Sequence, residues 1–125
     1  MNPKRYRINL TCDSGGACTA YSDDVGVGGE IKQVKYTKTN FSDGVDFVVT
    51  GETTGVNIWT ENDVNATATR CPRQATHLNT SGAAALYASG GTAVLAPVVI
   101  SNERIKVVIA SGGNATTGAV DVWVG

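Results

Sequence analysis

The segment from Gly44 to Thr60, GVDFVVTGETTGVNIWT, narrows the possible folds of this chain more than any other. Val45, Phe47 and Val49 share one face of an extended run, while Asp46, Val48 and Thr50 share the other, which is the period-two pattern of a β-strand. Val56 and Ile58 alternate with Asn57 and Trp59 on the return. The connection Gly51-Glu52-Thr53-Thr54-Gly55 has a glycine at each end, suited to a hairpin loop that needs positive φ. Phe47 and Ile58 are the leading core residues. Trp59 falls on the opposite face, so that face is expected to be covered or to meet a partner.

The same period runs through most of the chain. Arg5 to Cys12 places Tyr6, Ile8 and Leu10 inward, and Asp13-Ser14-Gly15-Gly16 turns it into a strand over Ala17 to Ser22. Asp23, Asp24 and the glycines of VGVGGE read as a loop. Glu30 to Thr39 has a fault in its parity, with Ile31 odd but Val34 and Tyr36 even, which predicts a β-bulge near Lys32-Gln33. Ala93 to Ile100 is an apolar run that Pro97 marks as an edge or a break. Ser101-Asn102-Glu103 reads as a turn, Arg104 to Ala110 puts Ile105, Val107 and Ile109 inward, and Ala119 to Gly125 does the same for Val120, Val122 and Val124. About eight short strands with regular turn signals indicate an all-β, antiparallel β-sandwich of jelly-roll type. The 125 residues form a single domain, 1–125.

One excursion, 61–92, leaves this pattern. Ser81 to Ala88, followed by Ser89-Gly90-Gly91, predicts a short helix with Ser81 as N-cap, an alanine-rich interior and a glycine stop. From Val64 to Asn102 there is no carboxylate, and the only formal charges are Arg70 and Arg73. An exposed segment is ordinarily charged, so this one has the character of a surface that another chain covers. Charged residues make up 17% of the whole chain, against a usual ~25%, which suits a subunit with covered faces.

Little here points to reaction chemistry. His77 is the single histidine, and the Cys71–His77 spacing in RCPRQATH is not that of a zinc site. Asp23-Asp24 and Asp43/Asp46 lack the alternating acid pattern of a calcium loop and read as turn and capping residues. Gly26, Gly28 and Gly29 lack the βαβ setting of a phosphate loop. The chain is therefore read as a non-enzyme without cofactor or metal. A net charge of -1 and a pI near 5.7 give no basic field for nucleic acid. No apolar run reaches signal-peptide or membrane-spanning length, so the expectation is a protein folded in the cytoplasm with no membrane partner. Cys12 shares parity with the core residues. Cys12 and Cys18 flank a turn and could pair across a hairpin, but free thiols are favoured in that compartment.

YRINLT near the start, FSDGVDFVVTGETTGVNIWTENDVNATATRCPRQATH in the middle, and GAAALYASGGTAV with ERIKVVIASGGNATTGAVDVWVG at the end together resemble a group of small proteins that tailed bacteriophages encode among their head genes. The resemblance implies a virion structural protein of the capsid decoration, or cement, type: a β-sandwich that binds the shell exterior as a symmetric oligomer and bridges capsid subunits. The implied partners are the major capsid protein and copies of the chain itself. Within the excursion, Arg70, Arg73, His77 and Tyr87 are the expected contact residues. Two other roles are compatible with the same features: a head–tail junction or tail component, and a receptor- or carbohydrate-binding module using Trp59 or Trp123 as a stacking platform.

Overall fold

The computed structural model describes residues 3–75 and 78–125. The chain is all-β, with antiparallel sheets and no helix among the described residues. Its strands are β1 (Lys4–Thr11), β2 (Cys18–Tyr21), β3 (Val27–Lys38), β4 (Asp46–Gly51), β5 (Asn57–Glu61), β6 (Ala68–Arg70), β7 (Arg73–Gln74), β8 (Ala96–Pro97), β9 (Val99–Glu103), β10 (Ile105–Ala110) and β11 (Thr117–Val124). One sheet runs β1-β11-β3-β6, with β9 also paired to β3. The second runs β2-β10-β4-β5, and β7-β8 form a separate two-stranded ribbon.

Side chains of both larger sheets meet in one core. Ile8, Leu10, Val34, Val120 and Val122 come from the first sheet, and Phe47, Val49, Ile58, Val107 and Ile109 from the second. The Phe47 ring lies 4.6 Å from that of Tyr36 and 5.0 Å from that of Trp59, so aromatic contact runs from one sheet into the other. Each such pair adds about 0.5–1.5 kcal/mol beyond the area it buries. The alternation in β1, β4 and β10 therefore reports burial faithfully, whereas in β11 Ala119 and Asp121 are buried along with Val120 and Val122.

Two bulges adjust the pattern. In β3, Gln33 pairs with Trp123 and Ile31 with Val124, which leaves Lys32 as the extra residue where the parity fault predicts it. In β5, Trp59 pairs with Val49 and Asn57 with Thr50, so Ile58 is extra there. A bulge of this kind turns neighbouring side chains toward the same side. Ile58 is fully buried and Trp59 only 6% exposed, which corrects the placement of Trp59 on the face opposite the core.

Four other expectations are corrected. Ser81–Ala88 is not helical: the Asn79 carboxamide accepts the Ser81 and Ala83 N–H groups at 2.9 and 3.1 Å, and Gly82 sits at φ 80°. So short a helix, with no apolar face to bury, does not compete with that local turn. β1 and β2 do not pair as a hairpin, because they belong to different sheets; all three cysteines are free, in keeping with the favoured reading. Gly28 and Gly29 are strand, paired to β9 through Val27, Gly29 and Glu30, while Gly26 remains in the loop before β3. Ser101-Asn102-Glu103 lie in β9 rather than in a turn, with Asn102 at φ 55° where the register shifts. Pro97 does end a strand: β8 stops there, and buried Val98 separates it from β9.

The β4–β5 loop is held from outside the hairpin. Glu103 is 4% exposed, and its Oε1 accepts the Thr53 and Thr54 N–H groups at 2.8 and 2.9 Å while Oε2 accepts the Thr54 hydroxyl at 2.9 Å. A Cβ at Gly51 would collide with this carboxylate, which is why the first loop glycine is required although its φ is ordinary. The second, Gly55, adopts φ 74°.

Hydrogen bonds from Thr54 and Thr53 hold the Glu103 carboxyl below its ordinary value of 4.5 against the opposing effect of burial. The stability this contributes is present above the unfolded-state value and is lost as pH falls through the folded-state value. Glu103→Gln is expected to cost about 1–3 kcal/mol near neutrality. Denaturant unfolding at several pH values should show the gap from wild type shrinking in acid. The Tyr36 hydroxyl is fully buried without a hydrogen-bond partner, and burial pushes its pKa up to about 12. Tyr36→Phe is therefore expected to leave stability unchanged or raise it by about 1 kcal/mol in the same assay, whereas a loss above about 1 kcal/mol would reveal a missing partner.

Candidate partner-binding surface

The excursion begins inside the fold. After β5, β6 returns to the free edge of β3, pairing Arg70 with Val34, Thr69 with Lys35 and Ala68 with Tyr36. Arg70 donates to Glu61 through Nε and Nη2 at 2.8 and 2.9 Å, in a two-point ion pair. The Trp59 indole N–H donates to the same carboxylate at 3.2 Å. The Arg70 hydrogen bond is the main reason that the Glu61 carboxyl titrates below its ordinary range, with burial opposing and Trp59 assisting. Arg70, expected at a partner contact, thus braces the base of the arm against a core tryptophan.

Beyond Cys71 the chain leaves the two sheets. The β7–β8 ribbon pairs Arg73 with Pro97 and Gln74 with Ala96, and the Gln74 carboxamide donates to the Asn57 carbonyl. Arg73 is exposed, its guanidinium donating to the neighbouring Pro72 carbonyl at 3.0 Å. His77 lies outside the described residues. From Leu78 onward, backbone bridges Leu78–Ala84 and Leu86–Ala93 fold the segment into two tight reversals. Tyr87 sits on the second and is 74% exposed.

The arm presents apolar side chains that sequence reasoning did not single out. Leu78, Leu86 and Leu95 are 52, 44 and 57% exposed, and with Tyr87 they make up most of the large exposed hydrophobics of the described residues. Leu78 lies in a stretch without a usable period, Leu86 inside the segment expected to be helical and Leu95 inside the Ala93–Ile100 run expected to be strand; the available signal was leucines in a stretch free of carboxylates.

A shallow depression of about 430 Å³ lies between β5 and β6, lined by Glu61, Asp63 and residues 64–70. Its polar groups are engaged: Lys38 donates to Asp43 and to the Asn65 carbonyl, and Asn65 Oδ1 accepts the Gly44 N–H. Of the aspartates weighed for calcium, Asp24, Asp43 and Asp46 serve turns and ion pairs. Asp24 accepts the Gly26 N–H, Asp46 the Asp63 N–H, and Asp43 pairs with Lys38. No cluster of three or more His, Cys, Asp or Glu residues suited to a metal occurs among the described residues. No helix among them is long and apolar enough to cross a membrane.

No protein-family model, curated protein or solved structure matches the chain.

The two arginines should separate in a stability assay. Arg70→Ala is expected to lower stability by less than about 1 kcal/mol, because both partners of its ion pair keep solvent contact. Arg73→Ala should leave the unfolding midpoint unchanged. Equal losses in thermal unfolding would contradict this assignment.

Proposed function

We propose that this chain is a structural protein of a tailed-bacteriophage virion, of the capsid decoration type, whose arm seats on the shell or on a sister copy. The proposal includes closure of the two large sheets into a jelly roll. In its support, setting aside β7–β9 and renumbering the eight remaining strands gives orders of 1-8-3-6 and 2-7-4-5, the two interleaved Greek keys of that architecture. A fold of this kind hosts many functions, so strand order alone does not select one.

The observation that carries the reading is the arm and the run that follows it: exposed Leu78, Leu86, Tyr87 and Leu95 within a stretch that has no carboxylate from Val64 to Asn102. The likeness of the chain to phage head proteins adds to it. Burying one such side chain at an interface contributes about 1.5–3 kcal/mol before the costs of association. One arm gives weak binding, and repetition over a symmetric shell gives strong binding. The protein then works by bridging capsid subunits, with the major capsid protein and copies of itself as partners and the virion as its location. Arg73 is the cation of the arm left available to a partner. Arg70 acts indirectly, by fixing where the arm begins.

The double variant Leu86→Ser, Tyr87→Ser tests the reading, since neither side chain belongs to the core. Its thermal unfolding should match wild type, while co-sedimentation with purified shells and self-association in sedimentation velocity should fall at least about tenfold. Full retention of both activities would contradict the proposed role of the arm.

A further inference from the structure

The outward faces of the two large sheets differ in character. On the first, the residues that alternate with the core ones include Arg5, Arg7, Asp121 and Lys35, the charged composition of a solvated face. On the second, Val107 and Ile109 of β10 and Phe47 and Val49 of β4 point into the core, so Lys106 and Val108, and Asp46 and Val48, point outward. The register sets Thr19, Val108, Val48 and Thr60 side by side in one row across β2, β10, β4 and β5. No charge interrupts that row, and Val48 at its centre is 39% exposed.

The charges of this face lie at its two ends. Lys106 is two residues before Val108 and Asp46 two residues before Val48, and because β10 and β4 are antiparallel they fall on opposite sides of the row. Lys106 has no ion-pair partner among the described residues. The nearby Glu52 carboxylate, whose titration Lys106 influences, is engaged by Arg104. Asp46 also lacks a cation; its Oδ1 accepts the N–H of Asp63, a second carboxylate without an ion-pair partner among the described residues. One end of the face is thus positive and the other negative.

We infer that the outward face of β2, β10, β4 and β5 pairs with the same face of a second copy of this chain. The charges select the symmetry. A two-fold axis along the Thr19–Thr60 row lays each Val48 and Val108 on its counterpart and exchanges the two ends, so Lys106 of each copy meets Asp46 of the other. An axis along the strands would instead set lysine against lysine and aspartate against aspartate, which is repulsive. The face is therefore self-complementary: an apolar row meets an apolar row, and each charged end finds its opposite. A face four strands wide, about 15–20 Å across, is at the small end of specific interfaces, so the dimer is expected to be weak. It uses none of the arm residues and stands whether or not the arm binds a shell. Within the role proposed above, each dimer brings two arms to the surface that it bridges.

The test is site-specific cross-linking of the purified protein. Val48→Cys in a Cys71→Ser background, treated with a short bismaleimide at about 100 µM protein, should give a covalent dimer that peptide mass spectrometry shows to be joined at position 48. Asn9→Cys, on the outward face of the other sheet, should give at least about tenfold less in the same background. Lys106→Glu sets like charges together and should lower the yield at position 48 by about tenfold, with the thermal unfolding midpoint unchanged because this lysine has no ion-pair partner. Leu86→Ser with Tyr87→Ser should leave the yield at position 48 unchanged, which separates this contact from those of the arm. No dimer joined at position 48, equal yields from the two cysteine positions, a yield indifferent to Lys106→Glu, or a yield lost on changing the arm would each overturn the inference.

Discussion

The Phe47 ring, packed between Tyr36 of one sheet and Trp59 of its own, is the contact on which much of the structure depends. It exists because Ile58 is an extra residue in β5, which lets both Ile58 and Trp59 turn inward. The consequence reaches beyond the core. The buried indole still has an N–H to satisfy, and it does so on Glu61, whose carboxylate also takes both prongs of Arg70. A backbone irregularity in a hairpin thus fixes the point at which the arm leaves the sheets. Changing the packing of Trp59 would disturb the arm without touching it.

The division of labour between core and arm follows from where polar groups are satisfied. In the sheets, ladder hydrogen bonds and buried aliphatic and aromatic side chains hold the structure, and Glu103 secures the β4–β5 loop from outside the hairpin. In the arm, short bridges and an asparagine turn hold the backbone, while leucines and a tyrosine remain in solvent. That arrangement lets a stable domain present a sticky surface without unfolding, as the proposed bridging of capsid subunits demands. Most of the acidic and basic side chains that form ion pairs do so within or beside the sheets, leaving the arm nearly uncharged.

Much of the fold was legible in the residues, and its limits have physical causes. Alternation located most sheet strands because one side of each sheet is buried, and the β3 bulge was visible because Ile31 and Val34 are both large and cannot share a face without an extra residue. The β5 bulge was invisible for the converse reason: Ile58 and Trp59 look like an ordinary alternating pair, and only the register against Val49 and Thr50 reveals the surplus residue. A turn signal such as Asp13-Ser14-Gly15-Gly16 says that the chain reverses but not that it changes sheets, so the apparent Cys12–Cys18 hairpin dissolves. The glycines of β3 looked like loop residues, yet Gly29 needs φ 134° and faces Val124, a close approach that composition does not announce. In the arm, the carboxylate-free stretch and Arg73 were legible, whereas the structural role of Arg70 depends on a partner, Glu61, that becomes its neighbour only through β6.

Stoichiometry tests most directly the proposed binding of the arm to a repetitive shell. Quantitative mass spectrometry of purified particles would give the copy number of this chain relative to the major shell protein. Bridging across the whole surface requires a ratio comparable to that of the shell protein, and that is the expected result. A ratio of a few per cent would place the chain at a neck or tail and contradict the decoration role.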